Sequence, residues 1–259
     1  MGRRRKRQPP TSSSTRMDEV VERELEIFRT EAESAAQFFY AYFFIHHAAG
    51  VNKSVHRLLN TAPLFWNTIL GGLQTGSFVV LGRIFDQNSA HNVEKLLKLA
   101  LDNRQIFTKS ALARRRQGAS GAPPEWLESY LRHVYVPKVA DFYRLRKYLS
   151  KWRKVYREKY QPIRHKVFAH KDVHDATDAS ILFARTNVRE LERMLAFLLS
   201  LHEALWQLFH NGRKPALRSG RYSVKRMHER ALSNVKPRSV TERLTHEALK
   251  FLHAASNGM

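Results

Sequence analysis

The chain has 259 residues and carries 45 Lys and Arg against 23 Asp and Glu, a formal net charge of +22. A hydrophobic fraction of 43% supports a globular core and excludes a wholly disordered chain, while so large a cationic excess makes a polyanion the leading class of partner. Cysteine is absent, which excludes disulfide scaffolds, thiolate metal sites and cysteine nucleophiles, and sits well with a cytoplasmic protein.

The charge is concentrated in two places. Residues 3–7 (RRRKR) lie in a Pro- and Ser-rich leader without an apolar h-region, so residues 1–16 read as a disordered basic tail rather than a secretion signal. From Arg104 to Lys171 there are 18 Lys and Arg against four acids.

After the leader the hydrophobic periodicity is helical almost throughout, with no alternating strand pattern and no repeat. Thr15 is a plausible N-cap for a run from Met17 to Ala49 that carries Asp18, Glu19 and Glu22 in its first turns and ends at Gly50. A second run begins with Pro63 at a first helical position and extends to Asp86; a third spans Ser89 to Asn103. The sequence QGASGAPP at 117–124 is the clearest internal break, and helical pattern resumes from Pro124 to Tyr160. Asn187 caps the strongest helix, in which Val188, Leu191, Leu195, Leu198, Leu201, Leu205 and Leu208 recur at three- and four-residue steps. These runs predict an all-α bundle over 17–212, followed by a helical extension over 213–259 with helices at Val224–Leu232 and Val240–Ala254, the last capped by Ser239. Whether that extension packs on the bundle or binds another molecule stays open at this point.

Leu58 to Gly82 is 25 residues without Asp, Glu, Lys or Arg, long enough to span a bilayer. Asn60, Asn67, Gln74, Thr75 and Ser77 argue for a buried helix of a soluble bundle instead of a membrane partner, with Gly72 and Gly76 marking close helix packing, at a dimer interface if there is one.

The chemistry-bearing segment closes the basic stretch, in QPIRHKVFAHKDVHDATD, where Arg164 and His170 stand six residues apart. On one straight α-helix the two side chains would sit roughly 120° apart and about 9 Å along the axis, so convergence requires a helix end near His170 or a second copy of the chain. Arg83 and Asp86 in LGRIFD, three apart on one helical face, read as a structural ion pair or as residues assisting the site. Arg114, Arg115 and Arg116 before the 117–124 break look like phosphate contacts. With Arg144, Arg146, Lys147, Lys151, Arg153, Lys154, Arg157 and Lys166 they would form a basic track interleaved with Tyr143, Tyr148, Trp152 and Tyr156. Those aromatic rings serve either as base-stacking platforms or as core.

The segment IRHKVFAHKD resembles the Arg-x4-6-His motif of the HEPN superfamily. Together with the aromatic-rich first helix and SFVVLGRIFDQNS it is most similar to the abortive-infection AbiU-type branch, over roughly Met17 to Asn211. That resemblance implies an all-α HEPN-like bundle, usually homodimeric, acting on RNA as a metal-independent ribonuclease without a cofactor. It further implies a phage-defence or toxin-type effector restrained by an antitoxin or other regulatory protein. It assigns His170 to general acid–base work and Arg164 to charge on the phosphate, with His165 either assisting or a surface residue. The family's frequent tyrosine two residues after the histidine is Asp172 here, so control by tyrosine modification is not implied. The competing reading is a non-catalytic RNA-binding or assembly module that uses the same basic face over 104–171.

Overall fold

In the computed structural model, the described residues are 13–117, 123–169, 176–218, 220, 223–233 and 235–258, and among them every regular element is helical. Helix α1 (Ser13–Val51) starts before Thr15 and passes through Gly50. Its inward stripe of Val21, Leu25, Phe28, Ala32, Ala36, Phe39 and Tyr40 is buried at three- and four-residue steps, which is what holds so long a helix together. Asp18, read from the sequence as a helix-dipole acid, is 6% exposed and anchors two arginines of a later helix.

Helix α2 (Lys53–Thr61) is capped by Asn52, whose side chain accepts from the N–H groups of Ser54 and Val55. Helix α3 (Pro63–Phe85) runs from Pro63 as predicted, and Asp86 is its C-cap residue. Only its second half is core: Phe78, Val80, Leu81, Ile84 and Phe85 are buried, whereas Leu64 is 82% exposed and Phe65 and Ile69 also face outward. The close packing expected at both glycines is found at Gly76, where a Cβ would stand 3.0 Å from the Phe38 ring, but a Cβ at Gly72 would meet no neighbouring segment within 4 Å. By length and composition α3 could cross a membrane.

Helix α4 (Val93–Asp102) begins later than the sequence suggests, because Asn92 takes the cap. The Asn92 side chain accepts from Lys95 N–H and donates to the carbonyls of Gln87 and Ser89, folding 86–92 into a turn. A 3-10 turn (Arg104–Phe107) leads to α5 (Lys109–Gln117), and α6 (Trp126–Arg132) is separated from α7 (Val139–Val155) by the non-helical stretch 133–138 that contains Pro137. The helical course then widens twice into π turns, at Tyr156–Tyr160 and Arg164–Ala169, on either side of the short α8 (Gln161–Ile163). After α9 (Ala176–Ala184), α10 (Val188–Asn211) is capped by Asn187 and ends on Gly212 in the left-handed region, φ 55°. Its leucine stripe is core as the periodicity predicts.

Helices α1, α3, α7 and α10 share the main core. A second apolar cluster joins Phe44, Ile45 and Ala48 of α1 and Val55 and Leu58 of α2 to Ala231, Leu249 and Leu252. The last three belong to α11 (Val224–Leu232) and α12 (Val240–Asn257), the latter capped by Ser239 as predicted. The C-terminal helices are therefore packed on the bundle.

Candidate functional site

Where the C-terminal end of α3 meets α8 and the two π turns, a cleft of about 290 Å³ opens, lined by Asp86, Arg157, Gln161, Arg164 and His165 among others. The first π turn seats the cleft's inner wall: Tyr156 stacks on Phe85, ring centres 5.1 Å apart. Burial pushes the Tyr156 hydroxyl well above its usual pKa, and the neighbouring Asp86 carboxylate adds to the shift, so this phenol stays neutral. The second π turn is pinned by Phe168, whose ring meets Phe78 of α3 at 5.2 Å.

Arg164 is held from three sides. Its Nη2 donates to Asp86 Oδ2 at 2.5 Å, while Gln161 Nε2 donates to the other Asp86 oxygen at 3.1 Å, so the carboxylate is clamped before it orients the guanidinium. Nη2 also lies 2.6 Å from Nε2 of His165. A guanidinium only donates, so Nε2 accepts and His165 carries its proton on Nδ1. The third side is Gly82, one turn before Asp86 on α3: a Cβ there would stand 2.5 Å from Nη1 of Arg164. Glycine is the residue that lets the guanidinium lie against the helix backbone.

The sequence paired Asp86 with Arg83. In the structure Arg83 instead reaches Glu31 of α1, with Nε 2.8 and 3.0 Å from its two oxygens, and Asp86 serves Arg164. The i,i+3 rule fails because Asp86 is the cap, where the extended backbone turns its side chain off the helical face. His170 lies outside the described residues, as do His174 and Asp175.

The basic residues divide into two sets. Arg114 and Arg115 donate to Asp18 at 2.6 and 3.0 Å, and Arg115 also binds the carbonyls of Ile106 and Phe209 and covers the Phe209 ring at 4.2 Å. Arg116 donates to the His210 carbonyl. These three tie α5 to α1 and α10, and none of them lines the cleft. Arg144 is held by Asp141 and the Pro215 carbonyl at 3.0 and 3.1 Å, and Arg146 by Glu94. By contrast Lys147, Lys151, Lys154, Arg157 and Lys166 are exposed, and among them Lys154 has an acid within 4 Å, Glu158 at 3.9 Å.

The aromatics divide in the same way. Tyr143 and Tyr148 are 58% and 50% exposed on the outer face of α7, while Trp152 packs near Phe197 and Tyr156 on Phe85. The exposed face of α7 thus carries Lys147, Tyr148, Lys151 and Lys154, and it leads through Arg153 and Arg157 into the Arg164 cleft. Sequence reasoning missed Gly82 and Gln161, while Arg153, read as part of the basic track, also lines the cleft. Gln161, three residues before Arg164, was within reach of a spacing argument; Gly82 was not, since its role exists only across two segments.

The fold and cleft define an all-helical bundle with a guanidinium seated beside an open basic face. A profile of the AbiU2 HEPN family matches residues 18–230, and the chain belongs to that family, an abortive-infection type of HEPN domain. No curated protein and no solved structure matches the chain.

Proposed function

We propose that this HEPN domain is a metal-independent endoribonuclease of the phage-defence or toxin type, cleaving RNA in the cytoplasm. The observation that carries this reading is the seating of Arg164: its guanidinium is fixed by Asp86 and by the bare backbone at Gly82, inside an open cleft at the end of an exposed cationic face. An RNA strand laid along Lys147, Lys151 and Lys154, with bases against Tyr143 and Tyr148, would bring a phosphate to Arg164. The ribose 2′-OH attacks the adjacent phosphorus in line. His170 takes the 2′ proton or delivers one to the departing 5′ oxygen, and Arg164 stabilises charge on the non-bridging oxygens. The new O2′–P bond replaces the P–O5′ bond, leaving a 2′,3′-cyclic phosphate and a 5′-hydroxyl.

One chain supplies one such Arg–His pair, so a homodimer that joins two is part of the proposal, as is a protein partner that restrains the activity. Product analysis tests the chemistry: end-labelled RNA should yield 5′-hydroxyl fragments with cyclic phosphate ends, and sedimentation should show a dimer. Linear 5′-phosphate ends would contradict the mechanism. The second reading, an RNA-binding module without cleavage, is favoured by one feature: Nη2 of Arg164 is already engaged by both Asp86 and His165. Tight, salt-sensitive RNA binding with no cleavage would establish it.

A further inference from the structure

A larger cavity, about 520 Å³, lies where the chain following α10 and the start of α12 close over α10 and α1, and it shares no residue with the Arg164 cleft. That volume is within the range of small-molecule sites, roughly 300–1,000 Å³. Two segments of the wall bring three arginines to it, Arg218 from the stretch after α10 and Arg238 and Arg243 from the start of α12. The backbone N–H groups of Arg218 and Arg238 are used, on Ser200 Oγ at 2.7 Å and Glu242 Oε2 at 2.8 Å. Among the described residues none of the three guanidinium groups meets a carboxylate.

The N-terminus of the 18-residue α12 faces the same space through Val240 and Thr241. Ser239 Oγ accepts the Glu242 N–H at 3.1 Å, which leaves the N–H groups of Val240 and Thr241 without an intrahelical acceptor. Glu242 folds back over this helix end, where its Oε2 accepts the Arg238 N–H at 2.8 Å and meets Arg230 at 3.5 Å, so its charge is already partnered. A further observation is independent of the helix. His202 of α10 lines the cavity, is nine-tenths buried, and its Nε2 has no hydrogen-bond partner.

The occupant that satisfies these groups is an anion with an organic body. Three forked donors and two free helix N–H groups suit the oxygens of a phosphate. Glu33 and Glu203 on the same wall disfavour a bare polyanion but accept from hydroxyl or amino groups, and Leu199 and Pro237 offer apolar contact. We propose that this cavity binds a small organic phosphate monoester, clamping the start of α12 and the segment after α10 onto the bundle. Binding at this place is independent of whether the Arg164 cleft cuts RNA, and α12 lies beyond the residues matched by the AbiU2 family.

Thermal unfolding of the full chain tests the assignment, with AMP, adenosine and inorganic phosphate as probes. AMP at about tenfold above its Kd should raise the Tm by about 3–5 °C, inorganic phosphate less, and adenosine not at all. The double variant Arg238→Glu/Arg243→Glu should lose the AMP shift while the exposed Lys250→Glu, on the same helix, keeps it; unchanged circular dichroism of both shows that folding is intact. The proposal is overturned by no shift with 10 mM AMP, by an adenosine shift equal to that of AMP, or by an AMP shift that survives in the double variant.

Discussion

Replacing Gly82 by alanine sets two effects of opposite sign against each other. A Cβ at this position would stand 2.5 Å from Nη1 of Arg164, 2.7 Å from Cδ and 2.9 Å from Cζ. Non-bonded carbon atoms settle at about 3.5–4.0 Å, so the guanidinium must retreat by roughly 1 Å. The atoms that yield belong to a flexible side chain, and alanine in a helix is favoured over glycine by about 1 kcal/mol. Against that stands a weakened Arg164–Asp86 pair, a charged hydrogen bond of about 1.5–3 kcal/mol. The two nearly offset, and the Tm should move by less than about 4 °C. Catalysis has no such compensation: displacing a transition-state donor by 1 Å lowers the rate by up to about 100-fold. The assay is kcat/KM on a short fluorescent RNA with thermal unfolding alongside. The expected result is a 10- to 100-fold loss of cleavage at near-native stability. Asp86→Asn, which keeps the shape and removes the charge, should fall in the same range. A Gly82→Ala protein that cleaves within about twofold of the wild type refutes the seat.

Other expected outcomes follow from the same contacts. Burial pushes the His202 imidazole down to about 4, with Arg29 adding to the shift. Its folded pKa is below the unfolded value, so protonation favours the unfolded chain. The loss is absent above pH 7, grows from pH 6.5 toward 4 and reaches about 3 kcal/mol. His202→Gln should flatten urea-measured stability over that window, and an unchanged pH dependence would contradict the reasoning. Arg115→Ala removes both carbonyl contacts and leaves buried Asp18 with Arg114 alone. It should cost about 3 kcal/mol by urea denaturation without altering the RNA affinity of the folded protein; a loss below 1 kcal/mol contradicts this. Lys147→Ala and Lys151→Ala should each reduce the slope of log K against log salt for single-stranded RNA by about 0.7, and Tyr148→Ala should weaken binding by about 1–3 kcal/mol. Fluorescence anisotropy across salt concentrations checks both, and an unchanged slope would remove α7 from the RNA path.

What the sequence made legible was local. The leucine stripe of α10, its Asn187 cap and the Ser239 cap of α12 were readable because helix periodicity and capping depend on neighbours within four residues. What it hid was the long-range bonding of its charges. Arg114 and Arg115 find Asp18 more than ninety residues away, and Asp86 finds Arg164 with α4 to α8 between them in the chain, so an i,i+3 argument had no means of preferring them to Arg83. The uncharged run 58–82 looked uniformly buried because its composition is uniform, whereas burial depends on which helices lie alongside, and within α3 they bury only the second half. The π turns around Arg164 were equally invisible, since the ring contacts of Tyr156 and Phe168 that accompany them come from α3. The Arg218–Arg238–Arg243 cavity is assembled from segments that no motif connects.

The central claim is that the Arg164 cleft cuts RNA without a metal. The direct measurement incubates structured and single-stranded RNA in EDTA with the wild type, Arg164→Ala and His170→Ala proteins. Cleavage by the wild type that survives chelation and disappears in both variants is the predicted result. Cleavage abolished by EDTA, or retained in either variant, would contradict the claim.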